Sequence, residues 1–156
     1  MPTVEKSIEV EAPVRAVYNQ WTQFEEFPRF MEGVKAVRQL DDKRLHWSAE
    51  IAGQDLEWDA VITEQMVEKH IGWRSTSGAH NAGTVNFEAL GPNRTRVTVR
   101  MEYEPEGALQ RIGDWLGAFP SRVEGDLRRF KEFIESRGIE TGGWRGEIVG
   151  EEVVKK

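Results

Sequence analysis

The chain has 156 residues, no cysteine, 27 acidic against 21 basic side chains and a formal net charge of −6. The acidic balance argues against nucleic acid and anionic membrane surfaces as partners, because both need a basic face. The missing cysteines exclude disulfides, thiolate nucleophiles, thiolate-held zinc and Cys-bound iron–sulfur clusters, and they fit a reducing, cytoplasmic setting.

Residues 3–10 alternate charged side chains with Val and Ile, the period of a strand. Pro13 then stands where a helix can start, since its absent N–H needs no partner in a first turn. Val14, Val17, Tyr18 and Trp21 follow at helical spacing, so 13–21 is a short helix. Phe24, Phe27, Phe30 and Met31, interrupted by Pro28, make a second short helix and a turn. Strands are expected near 33–40, 43–51, 55–67, 69–76, 83–90 and 94–103, about seven with the first. Tight connections at Asp41-Asp42, Gly53-Gln54, Glu68-Lys69 and Gly91-Pro92-Asn93 make the set an antiparallel meander. Residues 77–83 read as its longest flexible loop.

From Gly107 the period changes. Leu109, Ile112, Leu116, Phe119, Val123, Leu127, Phe130 and Ile134 recur every three or four residues. They form the apolar stripe of one long helix, 108–137, with Gly138 as its C-terminal cap. Beyond it, Gly142, Gly143, Gly146 and Gly150 among charges predict a loose tail over 139–156, in which Trp144 is out of place. The folded domain is therefore set at 1–138. No run approaches the ~20 apolar residues of a membrane span, so no stable membrane insertion is expected.

Trp47, Trp58 and Trp73 share one parity on three successive strands, beside Ala49, Ala60 and Ser75. The alternate parity carries His46, Glu57, Asp59 and Arg74. One face of the sheet is thus buried and the other wet. Large indoles beside small residues suit a cavity as well as a solid core. The long helix is the only element with enough apolar length to cover that face.

SIEVEAPVRAVYNQWTQFEEFPRFMEGVKAV (7–37), EWDAVITE (57–64), GWRSTSG (72–78), TRVTVRMEYEP (95–105) and GDLRRFKEFIESRG (125–138), in this order of elements, resemble the START-like, or helix-grip, superfamily. Within it the chain is similar to the polyketide cyclase/dehydrase and lipid-transport (SRPBCC) branch. The resemblance implies an α+β helix-grip fold, a curved antiparallel sheet wrapped around a long C-terminal helix. It also implies a hydrophobic cavity between the two, with its mouth near the short helices and hairpin loops. Lipid carriers, hormone-binding proteins and aromatase/cyclases all belong to the superfamily, so the motifs specify fold more than reaction.

On that frame the expected ligand-binding walls are Trp47, Trp58, Trp73, Phe87, Met101 and Tyr103 from the sheet and Ile112, Leu116, Phe119 and Val123 from the helix. Apolar walls with few polar points are what small-molecule sites look like. Phe24, Phe27, Phe30 and Met31 are read either as a cap on the core or as a gate, with Met adapting to varied ligands. Catalytic candidates are Arg74, Tyr103 and His80. No constellation declares a chemistry: the histidines lack metal-site spacing, no G-x-S-x-G elbow occurs, and no carboxylate falls on the inward parity. Arg128, Arg129 and Lys131 read as a solvated helix face. No cofactor or metal is called for. The expected function is binding of a lipid-like or aromatic polyketide-like molecule. The rivals are an aromatase/cyclase or dehydratase, and a protein-interaction domain anchored by Phe24, Phe27, Phe30 or Trp144.

Overall fold

A computed structural model describes residues 3–51, 54–78, 80–103 and 113–155, with backbone alone for residues 51, 54, 103, 113–121 and 155. In chain order it gives β1 (Thr3–Val10), α1 (Val14–Trp21), a 3-10 helix (Phe24–Arg29), β2 (Val34–Gln39), β3 (Arg44–Ile51), β4 (Gln54–Met66), β5 (His70–Gly78), β6 (Asn81–Gly91) and β7 (Arg94–Tyr103). The long helix α2 (Gly113–Arg137) follows, then β8 (Glu147–Val149) and β9 (Glu152–Lys155). The sheet order is β1-β7-β6-β5-β4-β3-β2, and the seven strands pair antiparallel throughout. This is the helix-grip arrangement: an antiparallel sheet covered on its apolar face by α2.

The helix stripe acts as its spacing requires. Val123, Leu127, Phe130 and Ile134 are all buried, and Gly138 ends the helix at φ +74°, its N–H donating to the Ile134 carbonyl at 3.0 Å. Phe130 is the centre of an aromatic wedge. Its ring lies 4.8 Å from that of Trp21 and 5.2 Å from that of Phe30, both edge-on. Such pairs add about 0.5–1.5 kcal/mol each beyond the apolar area they bury. Trp21 reaches the wedge because α1 buries Val17, Tyr18 and Trp21 on one face. The wedge pins α1, the 3-10 helix and α2 together at one end of the sheet.

Two differences from the sequence reading concern length and strand number. Among the described residues there are nine strands rather than about seven, and the two additional ones come from 139–156, for which the sequence predicts a loose tail. β4 has 13 residues and β3 only 8; Arg44 at the start of β3 pairs with Val61, so the rest of β4 overhangs it. β8 fills the overhang, pairing Ile148 with Gln65, and both residues are buried. β8 and β9 turn through Gly150 (φ 54°) and Glu151 (φ 66°), the two positive φ values of a tight hairpin. Before reaching β4 the segment crosses the end of α1. Gln20, wholly buried, donates to Thr141 Oγ1 at 3.0 Å and accepts from the Thr141 N–H at 2.8 Å. Gly143 passes so close that a Cβ there would stand 2.7 Å from Asn19 Cγ. Gly142 and Gly143, two of the glycines that predict a loose tail, serve here as close approaches to Gln23 and Asn19.

The 77–83 loop also shrinks. β5 continues to Gly78, opposite Trp58, and β6 starts at Asn81. A register shift at Asp59/Ala60 in β4 lets the extra residues pair.

Candidate functional site

Register builds the site. Trp47 and Trp58 are directly opposed on β3 and β4, and their indoles stack at 5.6 Å and 10°. Trp73, one strand over, lies against the backbone of Gly83, where a Cβ would meet its ring at 2.9 Å. Its indole N–H donates to Asn81 Oδ1 at 3.0 Å. Beside these rings Ala49 and Ala60 leave room. The result is a cavity of about 160 Å³ between the sheet, the 3-10 helix and α2.

Of the expected walls, Trp47, Trp58, Trp73, Met101 and Val123 line this cavity. Phe87 does not; it packs edge-on against Tyr18 at 5.3 Å and sits 6.2 Å from Trp21, inside the solid part of the core. For Tyr103 only the backbone is described, opposite Asn81. Leu116 and Phe119 are placed on the α2 backbone, and Ile112 lies outside the described residues. Of the expected gate, Phe24, Phe27 and Met31 border the cavity, whereas Phe30 is buried between Phe130 and Phe133.

Two of the three catalytic candidates, Arg74 and His80, do not meet at the cavity. Arg74 is exposed on the outward parity, and its Nε donates to Glu151 Oε2 at 2.9 Å. His80 is exposed in the β5–β6 turn. Neither borders the cavity. Trp144, out of place in a loose tail, packs against the core, and its backbone N–H donates to Thr22 Oγ1 at 2.9 Å.

A polar edge that sequence reasoning missed does border the cavity. Arg122 and Asp126 are one helical turn apart on α2, flanking the buried Val123 and Leu127. Arg122 Nη1 donates to the Glu32 carbonyl at 2.8 Å, while its Nε is buried with no hydrogen-bond partner among the described residues. The guanidinium fits because Gly33, at φ +89°, has no side chain; a Cβ there would stand 2.6 Å from Nη1. Asp126 Oδ1 accepts from the Glu32 N–H at 3.1 Å and from Arg129 Nη2. Burial raises the Asp126 pKa to about 6, against the opposing pull of Arg129 and the Glu32 N–H. The expectation of no inward carboxylate is therefore corrected. Arg129 is not simply solvated either: its Nε donates to the Phe30 carbonyl at 2.9 Å. The signal was present as 122, 126 and 129, spaced four and three, alongside the apolar 123, 127 and 130. A count by strand parity cannot see it.

A second polar group forms on the outward face. His46 Nδ1 lies 2.7 Å from Asp59 Oδ1 and its Nε2 2.9 Å from Glu57 Oε1; Ser77 Oγ donates to Asp59 Oδ2 at 3.0 Å. These bonds raise the His46 pKa above its ordinary value, Asp59 contributing most, and lower that of Asp59. None of the four borders the cavity.

Comparison with known proteins places these features in a lineage. The family described as polyketide cyclase / dehydrase and lipid transport matches residues 10–132. A 17.2 kDa protein of Streptomyces lincolnensis, from the melC2-rnhH intergenic region, is 46% identical over 150 residues, covering 96% of this chain and all of its own. Among solved structures, a Deinococcus radiodurans protein is similar with a TM-score of 0.67 and 29% identity, over 88% of this chain and 100% of its own. The Zhui aromatase/cyclase of Streptomyces sp. R1128 is similar with a TM-score of 0.75 over 92% of this chain and 99% of its own; at 16% identity that likeness shows the fold.

Proposed function

The chain belongs to the polyketide cyclase/dehydrase and lipid-transport family, and from that premise we propose that it binds a hydrophobic small molecule, lipid-like or aromatic polyketide-like, between the sheet and α2. The observation that carries this reading is the cavity of about 160 Å³ walled by Trp47, Trp58 and Trp73. Apolar surface moved from water into it contributes about 25 cal/mol per Å². The stacked indoles offer a flat face to a ring or an alkyl chain. Met31 and Met101 offer walls that can shift around ligands of different outline.

The positions of other residues weaken the alternatives. An aromatase/cyclase reading needs reactive groups free to meet a substrate in one pocket; Arg74 and His80 stand outside it, and at its edge Asp126 is engaged by Arg129 and the Glu32 N–H, Arg122 by the Glu32 carbonyl. A protein-interaction reading needs exposed anchors, and Phe24, Phe27 and Phe30 are each buried.

Titration of the full chain with a panel of fatty acids and polycyclic aromatics, followed by tryptophan emission, is the direct test. Native mass spectrometry of freshly purified protein complements it by weighing any co-purifying molecule. Saturable binding of one or more of these compounds is expected. Absence of saturation across the panel overturns the proposal.

A further inference from the structure

We infer that Arg122 is an anion anchor at the polar edge of the cavity, so that the ligands preferred there are compact monocarboxylic acids with an apolar body. The inference rests on the pocket proposed above. It starts from a guanidinium that, among the described residues, has no carboxylate hydrogen-bonded to it. Arg122 borders the cavity, yet among the described residues its only hydrogen bond goes to a neutral group, the Glu32 carbonyl at 2.8 Å. The two nearby carboxylates are engaged elsewhere: Asp126 by Arg129, and Glu32 by Arg129 at 3.4 Å. Arg122 Nε is buried and lacks an acceptor. The guanidinium is only half-buried and feels the Asp126 carboxylate, but that carboxylate is hydrogen-bonded by Arg129, so an anion arriving from the cavity offers Arg122 a charged acceptor of its own.

Geometry selects the anion. With Nη1 held by the Glu32 carbonyl and Nε covered by the protein, Nη2 is the donor left to meet one oxygen of a carboxylate. The guanidinium is fixed in advance, lying over the bare Cα of Gly33. A dianion such as phosphate is disfavoured, because Asp126 and Glu32 stand close by and repel the second charge. Size sets the rest. The enclosed volume of about 160 Å³ favours a short chain or a small ring system beside the carboxylate.

Calorimetry on the full chain at neutral pH tests this with matched pairs: octanoate against octanol, and cinnamate against cinnamamide. Wild-type protein is expected to bind each acid about tenfold more tightly than its neutral match, the scale of one charge-assisted hydrogen bond. Arg122→Gln should abolish that preference while leaving affinity for the neutral compounds within about twofold, which also reports that the variant is folded. Arg122→Lys should restore part of the preference. If Arg122→Gln does not fold, Asp126→Asn replaces it: removing the adjacent negative charge should tighten acid binding and leave the neutral compounds unchanged. Equal affinity for acid and neutral partners in the wild type, or no response of the acids to these substitutions, overturns the anchor and leaves the pocket standing. Failure of all four compounds to bind overturns the pocket and the anchor together.

Discussion

Trp47 and Trp58 face each other across the β3–β4 ladder with their rings nearly parallel, 10° apart at 5.6 Å. Both remain half-buried, although they pack on the core. A stacked pair that is not fully covered is a wall rather than a keystone. Trp58→Ala should therefore lower stability by only about 1–2 kcal/mol, below the 3–5 kcal/mol of a core Trp or Phe truncation, and weaken ligand affinity by about tenfold. Phe130→Ala should do the reverse, costing about 3–5 kcal/mol because its ring is wholly buried in the wedge. Urea melts of both variants, paired with ligand titration of Trp58→Ala, separate wall from keystone. Equal destabilisation by the two changes would contradict the distinction.

Deleting residues 139–156 should destabilise the protein by at least about 2 kcal/mol. Ile148 alone loses the burial of a whole aliphatic side chain, worth about 1.5–3 kcal/mol. Gln20 and Gln65, both buried, would lose cover, and Gln20 would lose both bonds to Thr141. The point substitution Gly143→Ala should show part of the same effect, because its Cβ has no space beside Asn19. A thermal melt unchanged by the deletion would mean that the segment does not hold α1 and β4 as described.

The sheet and the long helix were legible because their signals are periodic. Parity put Trp47, Trp58 and Trp73 on one face, and three-and-four spacing put Val123, Leu127, Phe130 and Ile134 on one stripe. The last 18 residues were not legible, since three-residue and four-residue strands are too short to show a period. Their docking depends on a mismatch in length between β3 and β4 that no local pattern reveals. Phe87 had the right parity but the wrong depth, as Tyr18 and Trp21 already fill the space in front of it. Arg122 and Asp126 were hidden by being charged, because charge on a helix ordinarily marks the solvated side.

His46 gives a pH dependence of known sign. Its bonds to Asp59 and Glu57 raise its folded pKa above 6.5. The stability it contributes is then fully present below the unfolded value of about 6.5 and is lost as pH rises through the raised folded value. An NMR titration of the ring should find a midpoint above 6.5, and Asp59→Asn should lower it more than Glu57→Gln, since Asp59 is the larger cause. A midpoint at or below 6.5 would show that the two carboxylates do not hold the imidazolium in solution.

Asp126 works in a lower window. Burial raises its carboxyl from 3.8 to about 6, while Arg129 and Arg122 on the same helix and the Glu32 N–H oppose the rise. The folded state therefore holds a proton between pH 3.8 and 6 that the unfolded chain has released. From this group, stability falls as pH rises across that interval and is level above it, a change on the order of 3 kcal/mol. Asp126→Asn should remove that slope, and Arg129→Gln should raise the midpoint further, because the main opposing hydrogen bond is gone. Carboxyl-carbon NMR of Asp126 provides the midpoint directly, and a value near 4 would contradict its burial. Above the midpoint the Asp126 carboxylate is ionised near Arg122 and weakens the pull on an incoming anion. Octanoate affinity in the wild type should accordingly rise as pH is lowered from 8 towards 6, and Asp126→Asn should flatten that rise.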